Sequence, residues 1–106
     1  MSDLLREGWT QRIKYALTSN GAPLDLSTAL DVTLTGASGR ALIPVVFSGA
    51  SGVEDAPSGL VFFDPDAGEL LASKSPYLVR WQITDADGGI SFYPRDAPLC
   101  WVVKKP

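Results

Sequence analysis

The stretch that decides the fold is GLVFFDPDAGELLASKSPYLVRWQITDADGGISFYPRDAPLCWVV, residues 59–103. Apolar and alternating segments follow one another here, and polar residues separate them. Asp87-Gly88 marks a tight turn between two of these segments, because both residue types tolerate turn conformations. The pattern is typical of short antiparallel strands: an apolar strand at 59–63, a polar corner at 64–75, an alternating strand at 77–84 and a closing strand at 99–103.

The first half of the chain has a similar pattern. Period-two alternation over residues 8–18 and again over 30–34 predicts two half-buried strands. Pro44 cannot donate a ladder hydrogen bond, so its strand is predicted at a sheet edge or a bulge. The Gly- and Ser-rich residues 48–58 predict a loop.

Together these signals predict an all-β fold, an immunoglobulin-like antiparallel β-sandwich of about seven strands, over residues 8–106. Residues 66–73 have fair helix propensity but are too few for an independent helix, so they predict one short helical corner between the sheets. Residues 1–7 are predicted to form an N-terminal arm. A chain of 106 residues fits one domain.

Composition narrows the classes of partner. The net charge is −3, which disfavours nucleic acid because phosphate neutralisation needs clustered Lys and Arg. No apolar run has the length of a membrane helix, and the N-terminus does not resemble a signal peptide. The one cysteine, Cys100, excludes an intrachain disulfide and is predicted to be an inert thiol in the core or the sheet. The absence of a disulfide fits synthesis in a reducing cytoplasm.

The residues also argue against catalysis. The chain has no histidine, which removes the commonest general base and the commonest metal ligand. Residues 85–89 (DADGG) lack the further oxygen ligands of a calcium loop and predict a hairpin turn. A glycosidase based on paired carboxylates is conceivable, but no pair stands out. We therefore predict no enzymatic activity, no cofactor and no metal.

The aromatic residues divide by strand parity. Trp9, Trp81 and Trp101 lie on inward parities and are predicted to be core. Phe92 and Tyr93 are candidates for outward positions, where aromatic side chains serve as glycan-stacking platforms or as protein-contact residues. Phe62 is a third candidate.

The order of these motifs is specific enough to suggest a family. The chain reads NGAPLDLS at 20–27, LDVTL at 30–34, SGLVFF at 58–63, PYLVRWQIT at 76–84, DADGG at 85–89 and FYP at 92–94. This order resembles the immunoglobulin-like N-terminal domain of upper baseplate proteins in tailed bacteriophages, and related domains of phage tail and fibre proteins. The resemblance covers about residues 8–104 and carries no catalytic residues with it.

The resemblance implies a bacteriophage virion structural protein, a non-catalytic tail or baseplate assembly subunit or adaptor. Its expected partners are other virion structural proteins in a multi-copy symmetric assembly, and its expected location is the virion. A head decoration or head–tail connector subunit, a carbohydrate-binding module for host glycans and a generic immunoglobulin-like accessory domain remain alternatives. Contacts with partners are expected from the following residues: Leu4, Leu5, Arg6, Val53, Phe92 and Arg95.

Overall fold

The computed structural model describes residues 2–95 and 97–105, the first three of them by their backbone alone. Within these residues the fold is all-β, and the only helical element is a 3₁₀ helix at Ala72–Lys74. The strands are β1 (Ser2–Arg6), β2 (Ile13–Ala16), β3 (Thr18–Ser19), β4 (Ala22–Pro23), β5 (Ala29–Ser38), β6 (Ile43–Val45), β7 (Ala50–Asp55), β8 (Leu60–Asp64), β9 (Tyr77–Asp85), β10 (Ile90–Tyr93) and β11 (Leu99–Lys104).

The strands form two main sheets and a small hairpin. The larger sheet has the order β1-β11-β9-β5-β6, and β10 pairs with β9 on the same side as β11. The smaller sheet has the order β2-β8-β7, and β3 pairs with β4. All pairs are antiparallel except β1 with β11, which are parallel. The all-β prediction is confirmed, whereas the prediction of purely antiparallel sheets is wrong.

The parallel pair is formed by the residues that were expected to be a free arm. Ser2 to Arg6 align with Cys100 to Lys104, and the Glu7 N–H donates to the Lys104 carbonyl over 2.8 Å. Leu5 faces the core and is only 7% exposed. The amphipathic start of the chain therefore lies along β11 as an edge strand of the larger sheet.

The core lies between the two sheets. Val61 and Phe63 of β8 are fully buried against side chains of β9 and β11. The Phe63 ring stacks on Trp101 with 6.1 Å between ring centroids. Trp81 and Trp101 are buried as predicted, whereas Trp9 is only half-buried at the margin, where its indole N–H donates to the Gln11 carbonyl.

The corner between β8 and β9 is less helical than predicted. Gly68 has a φ of +79°, which ends any α-helical path, so only Ala72–Lys74 form a 3₁₀ turn. The Glu69 carboxylate accepts backbone N–H bonds from Ser48, Gly49 and Asp66, so it stabilises a non-helical loop.

Tyr77 closes this corner from the start of β9. Its ring is buried, and its hydroxyl oxygen accepts a hydrogen bond from the Leu71 N–H over 3.1 Å. The same hydroxyl donates to the Glu69 carbonyl over 3.4 Å. The chain that crosses between the sheets is therefore tied to the first residue of β9.

Three further expectations changed with the tertiary contacts. Residues 50–55, predicted as loop, form β7 because they pair with β8. Leu30 is exposed because the register shifts between Ala29 and Asp31, which moves it off the inward parity. The strand predicted over 8–18 begins only at Ile13.

The predictions for the Asp-Gly turn and for Pro44, in contrast, are confirmed. Gly88 has a φ of +88°, and the Asp85 carbonyl accepts the Gly88 N–H over 2.9 Å. The DADGG segment is thus the predicted hairpin turn. Pro44 lies in β6, at the edge of the larger sheet, also as predicted.

Candidate interaction surface

Charged side chains cover the outward side of the smaller sheet and bind one another. Arg12 Nε lies 2.7 Å from Asp64 Oδ1, and Arg12 Nη1 lies 2.7 Å from Glu54 Oε2. Lys14 adds a second contact to Glu54 at 3.2 Å, and the Arg12 guanidinium lies 3.9 Å from the centre of the Phe62 ring. Each carboxylate of this network therefore has a cation beside it.

The network keeps its groups ionised. The hydrogen bond from Arg12 lowers the pKa of Asp64, and hydrogen bonds from Lys14 and then Arg12 lower the pKa of Glu54. The bond to Asp64 is the largest cause that raises the pKa of Arg12. A carboxylate held in this way is a poor general acid, because it does not carry a proton near neutral pH.

The outward side of the larger sheet is different in character, and we call it the outer face. The register places side chains in rows across it: Ala37 beside Leu78, and Leu78 beside Cys100. Thr35 pairs with Arg80 in the next row. Uncharged side chains make up most of these rows, and Arg80 lies among them.

A shallow hollow of about 440 Å³ lies in the centre of the outer face. Two exposed apolar side chains flank it, Leu42 from the β5–β6 connection at 53% exposure and Phe92 from β10 at 44% exposure. The hollow is lined by Thr35, Gly36, Ala37, Leu42, Leu78, Arg80, Phe92 and Pro98.

Arg80 is the one charged residue in the lining of this hollow. Its Nε atom is buried and has no hydrogen-bond partner among the described residues. Its backbone carbonyl accepts a bond from the Thr35 hydroxyl over 3.2 Å, so the main chain at this position is held in place. The hollow thus combines apolar walls with a guanidinium that lacks a carboxylate partner in the described chain.

The residues expected to make contacts do not form one patch. Phe92 lies on the outer face as predicted, and Arg6 is exposed at one end of β1. Val53 is at the other sheet, in β7. Leu5 is buried and is therefore unavailable to a partner of the folded chain. The side chain of Leu4 lies outside the described residues.

Tyr93 and Arg95, at and just after the end of β10, contact each other within the chain. Tyr93 was a candidate for an outward position, but it is buried because it shares the inward parity of Trp81, its register partner. Arg95 is occupied within the chain, since its Nη2 donates to the Tyr93 hydroxyl over 2.8 Å and its guanidinium lies 4.9 Å from that ring.

The contact residues expected from the sequence did not include Leu42 or Leu78. The signal for Leu78 was present, because it alternates with the inward Tyr77 and Val79. Leu42 had no such signal, since its exposure follows from a turn in which it adopts a φ of +53°.

Other kinds of site are not found in the described part of the chain. Residues 2–95 and 97–105 contain no group of three or more His, Cys, Asp or Glu side chains arranged to hold a metal ion. None of their helices has the length and apolar character needed to cross a membrane. Comparison with known protein families and with curated proteins finds no match to this chain.

Proposed function

We propose that this chain is a non-catalytic structural subunit of a tailed-bacteriophage particle, which contacts its neighbours through the outer face of the larger sheet. The observation that carries the proposal is the exposure of Phe92 and Leu42 on both sides of an apolar hollow. Aromatic side chains on a rigid surface supply much of the binding energy of protein interfaces. Exposed apolar patches of this kind mark interaction sites.

The strand order supports the immunoglobulin-like part of the proposal. Strands β5, β9 and the β10–β11 pair correspond to C, F and G of an immunoglobulin sandwich, and β2, β8 and β7 correspond to B, E and D. The hydroxyl of Tyr77 bonds to the backbone upstream at the start of the F-like strand, which is the arrangement of a tyrosine corner. The edge strand β6 corresponds to C′ of a variable-type domain.

The chemistry of the surface supports a binding role over a catalytic one. The chain has no histidine, and Glu54 and Asp64 are bound by cations that keep them ionised. The hollow on the outer face is lined mainly by Thr, Ala, Leu, Phe and Pro, which contribute shape and apolar area and no acid–base chemistry.

The resemblance favours the tail or baseplate as the position in the particle. A head decoration or head–tail connector subunit would use the same surface, because the fold does not determine the position. Phe92 also makes the outer face the place to test for a glycan, since an exposed ring is what a carbohydrate-binding module requires.

Quantitative mass spectrometry of purified particles from the phage or lysogen that encodes the chain tests the proposal. We expect a copy number that is a multiple of three or six, which would identify a symmetric component of the particle. Absence from particles despite abundance in the lysate would overturn the proposal, and glycan binding that is lost in Phe92→Ala would then support the carbohydrate-binding alternative.

A matched pair of variants ties incorporation to the outer face. We expect Phe92→Asp to reduce incorporation because it places a charge in the apolar contact. Ala16→Asp is the control, since Ala16 is exposed in β2 of the smaller sheet, away from the outer face. Equal incorporation of both variants would contradict the assignment of the outer face.

A further inference from the structure

We infer that the outer face binds a second copy of this chain, with the two outer faces in contact and their strands antiparallel. The inference rests on the proposed role of the outer face as a contact surface, and it names the occupant. It is carried by the distribution of charge along the strands and by the position of the hollow relative to those charges.

The two ends of the larger sheet carry opposite charges. At one end, which we call the acidic end, lie Asp31 of β5 and the turn with Asp85 and Asp87, and residues 29–33 and 84–90 contain no Lys or Arg. At the other end, the basic end, lie Arg40 and Lys104, and residues 38–42 and 102–105 contain no Asp or Glu.

The hollow lies midway between these ends. Gly36, in its lining, is five residues after Asp31 and four residues before Arg40 along the same stretch of chain. A similar spacing is found in β11, on the other side of β9. Cys100 is level with Ala37, and Lys104 follows Cys100 four residues further along β11. Asp31 and Ser38 are seven residues apart in β5, which is roughly 24 Å at about 3.4 Å per residue, and Arg40 lies in the turn just beyond.

This placement makes the face self-complementary. Consider a two-fold axis that lies between the two outer faces and runs perpendicular to the strands at the level of Gly36. This axis places one hollow over the other and brings each acidic end onto the basic end of the second copy. Because such an axis keeps each strand over its own counterpart, Asp31 of one copy approaches Arg40 of the other. Phe92 is then level with Val102 of the second copy, on the β10–β11 side of both sheets.

Charge selects this orientation over the alternative. If the two copies packed with parallel strands, the acidic end would lie on the acidic end, and the repulsion would disfavour association. In the antiparallel arrangement Leu78 of each copy faces the aliphatic stem of the other copy's Arg80, and such stems readily cover apolar side chains. An isologous contact of this kind closes at two copies.

Sedimentation velocity of the full chain, from a few micromolar to several hundred micromolar, tests the inference. We expect a concentration-dependent dimer that weakens as salt is raised. Phe92→Asp is expected to weaken association at least about tenfold, as loss of a central interface anchor does. Ala16→Asp, in the smaller sheet, is the control and should dimerise like the unmodified chain. A chain that stays monomeric throughout would overturn the inference.

A charge exchange tests the orientation without touching the apolar contact. Asp31→Lys alone and Arg40→Glu alone should each weaken the dimer, because each places like charges together at both ends. The two changes in one chain should restore it. A double variant as weak as the single ones would overturn the antiparallel arrangement. Circular dichroism of each variant establishes that it is folded.

The outcomes separate this inference from the proposed function. A monomeric chain that is nevertheless incorporated into particles refutes the second copy and leaves the virion role intact. A chain that dimerises as described but is absent from particles supports the inference and refutes the virion role.

Discussion

Removal of the Tyr77 hydroxyl should show how much its hydrogen bonds stabilise the corner between β8 and β9. In Tyr77→Phe the ring keeps its buried position, so packing is preserved and only the hydroxyl contacts are lost. Those contacts are the bond from the Leu71 N–H at 3.1 Å and the bond to the Glu69 carbonyl at 3.4 Å.

The magnitude follows from what the loss leaves behind. The Leu71 N–H becomes a donor without its partner, and an unsatisfied buried donor costs about 1–3 kcal/mol. Leu71 is only partly buried, so water can reach the site in part, and the long bond to Glu69 adds little. We therefore expect the free energy of unfolding to fall by about 1–2 kcal/mol, with a drop in Tm of roughly 4–12 °C.

Urea denaturation followed by tryptophan fluorescence gives the free energy of unfolding, and the slope m should stay unchanged because the same surface is exposed. Tyr15→Phe is the matched control, since Tyr15 is half-buried and its hydroxyl has no hydrogen bond within the described residues. A Tyr77→Phe variant within about 0.3 kcal/mol of the unmodified chain would refute the reasoning, because the corner would then be held without its hydroxyl.

Three further predictions use the same measurement. Leu5→Ala should lower the free energy of unfolding by about 2–3 kcal/mol, because the side chain is buried in the core; a free N-terminal arm would give no change. Gly59→Ala should lower the free energy of unfolding by at least about 1 kcal/mol more than Gly21→Ala does. Both glycines have positive φ, but only at Gly59 would a Cβ lie 2.6 Å from two backbone oxygens. Equal losses of stability in the two variants would contradict this close approach. The two carboxylates bound by Arg12 have lowered pKa values, so their ion pairs stabilise the fold at neutral pH and are lost as pH falls through those lowered pKa values. Arg12→Gln should therefore lose less stability on acidification than the unmodified chain, and identical pH profiles would count against the ion pairs.

Local chemistry was sufficient for several features of the fold. Alternation placed Trp81 and Trp101 inward, because side-chain direction in a strand has a period of two. The turn at Gly88 and the edge position of Pro44 follow from backbone restrictions of single residues. These properties do not depend on distant parts of the chain, so sequence reasoning reached them.

Long-range pairing was the part that local patterns could not supply. Nothing in the composition of residues 2–6 distinguishes an arm from an edge strand, since their partner β11 is almost the whole chain away. The Gly- and Ser-rich β7 is a strand because β8 offers it a ladder. Leu42 became a surface residue through a turn conformation that its own side chain does not favour.

The pairing of β1 with β11 bears on how the protein is made. β1 cannot form its ladder until β11 has been synthesised, because its hydrogen-bond partner is the strand that ends at Lys104. Until then residues 77–79 of β9 also lack their neighbour β11, so part of one flank of the larger sheet remains unpaired during synthesis. Pairings across such long stretches of chain fold slowly. Completion of this sheet therefore requires the synthesis of β11, and nascent copies synthesised close together present open edges to one another before it occurs.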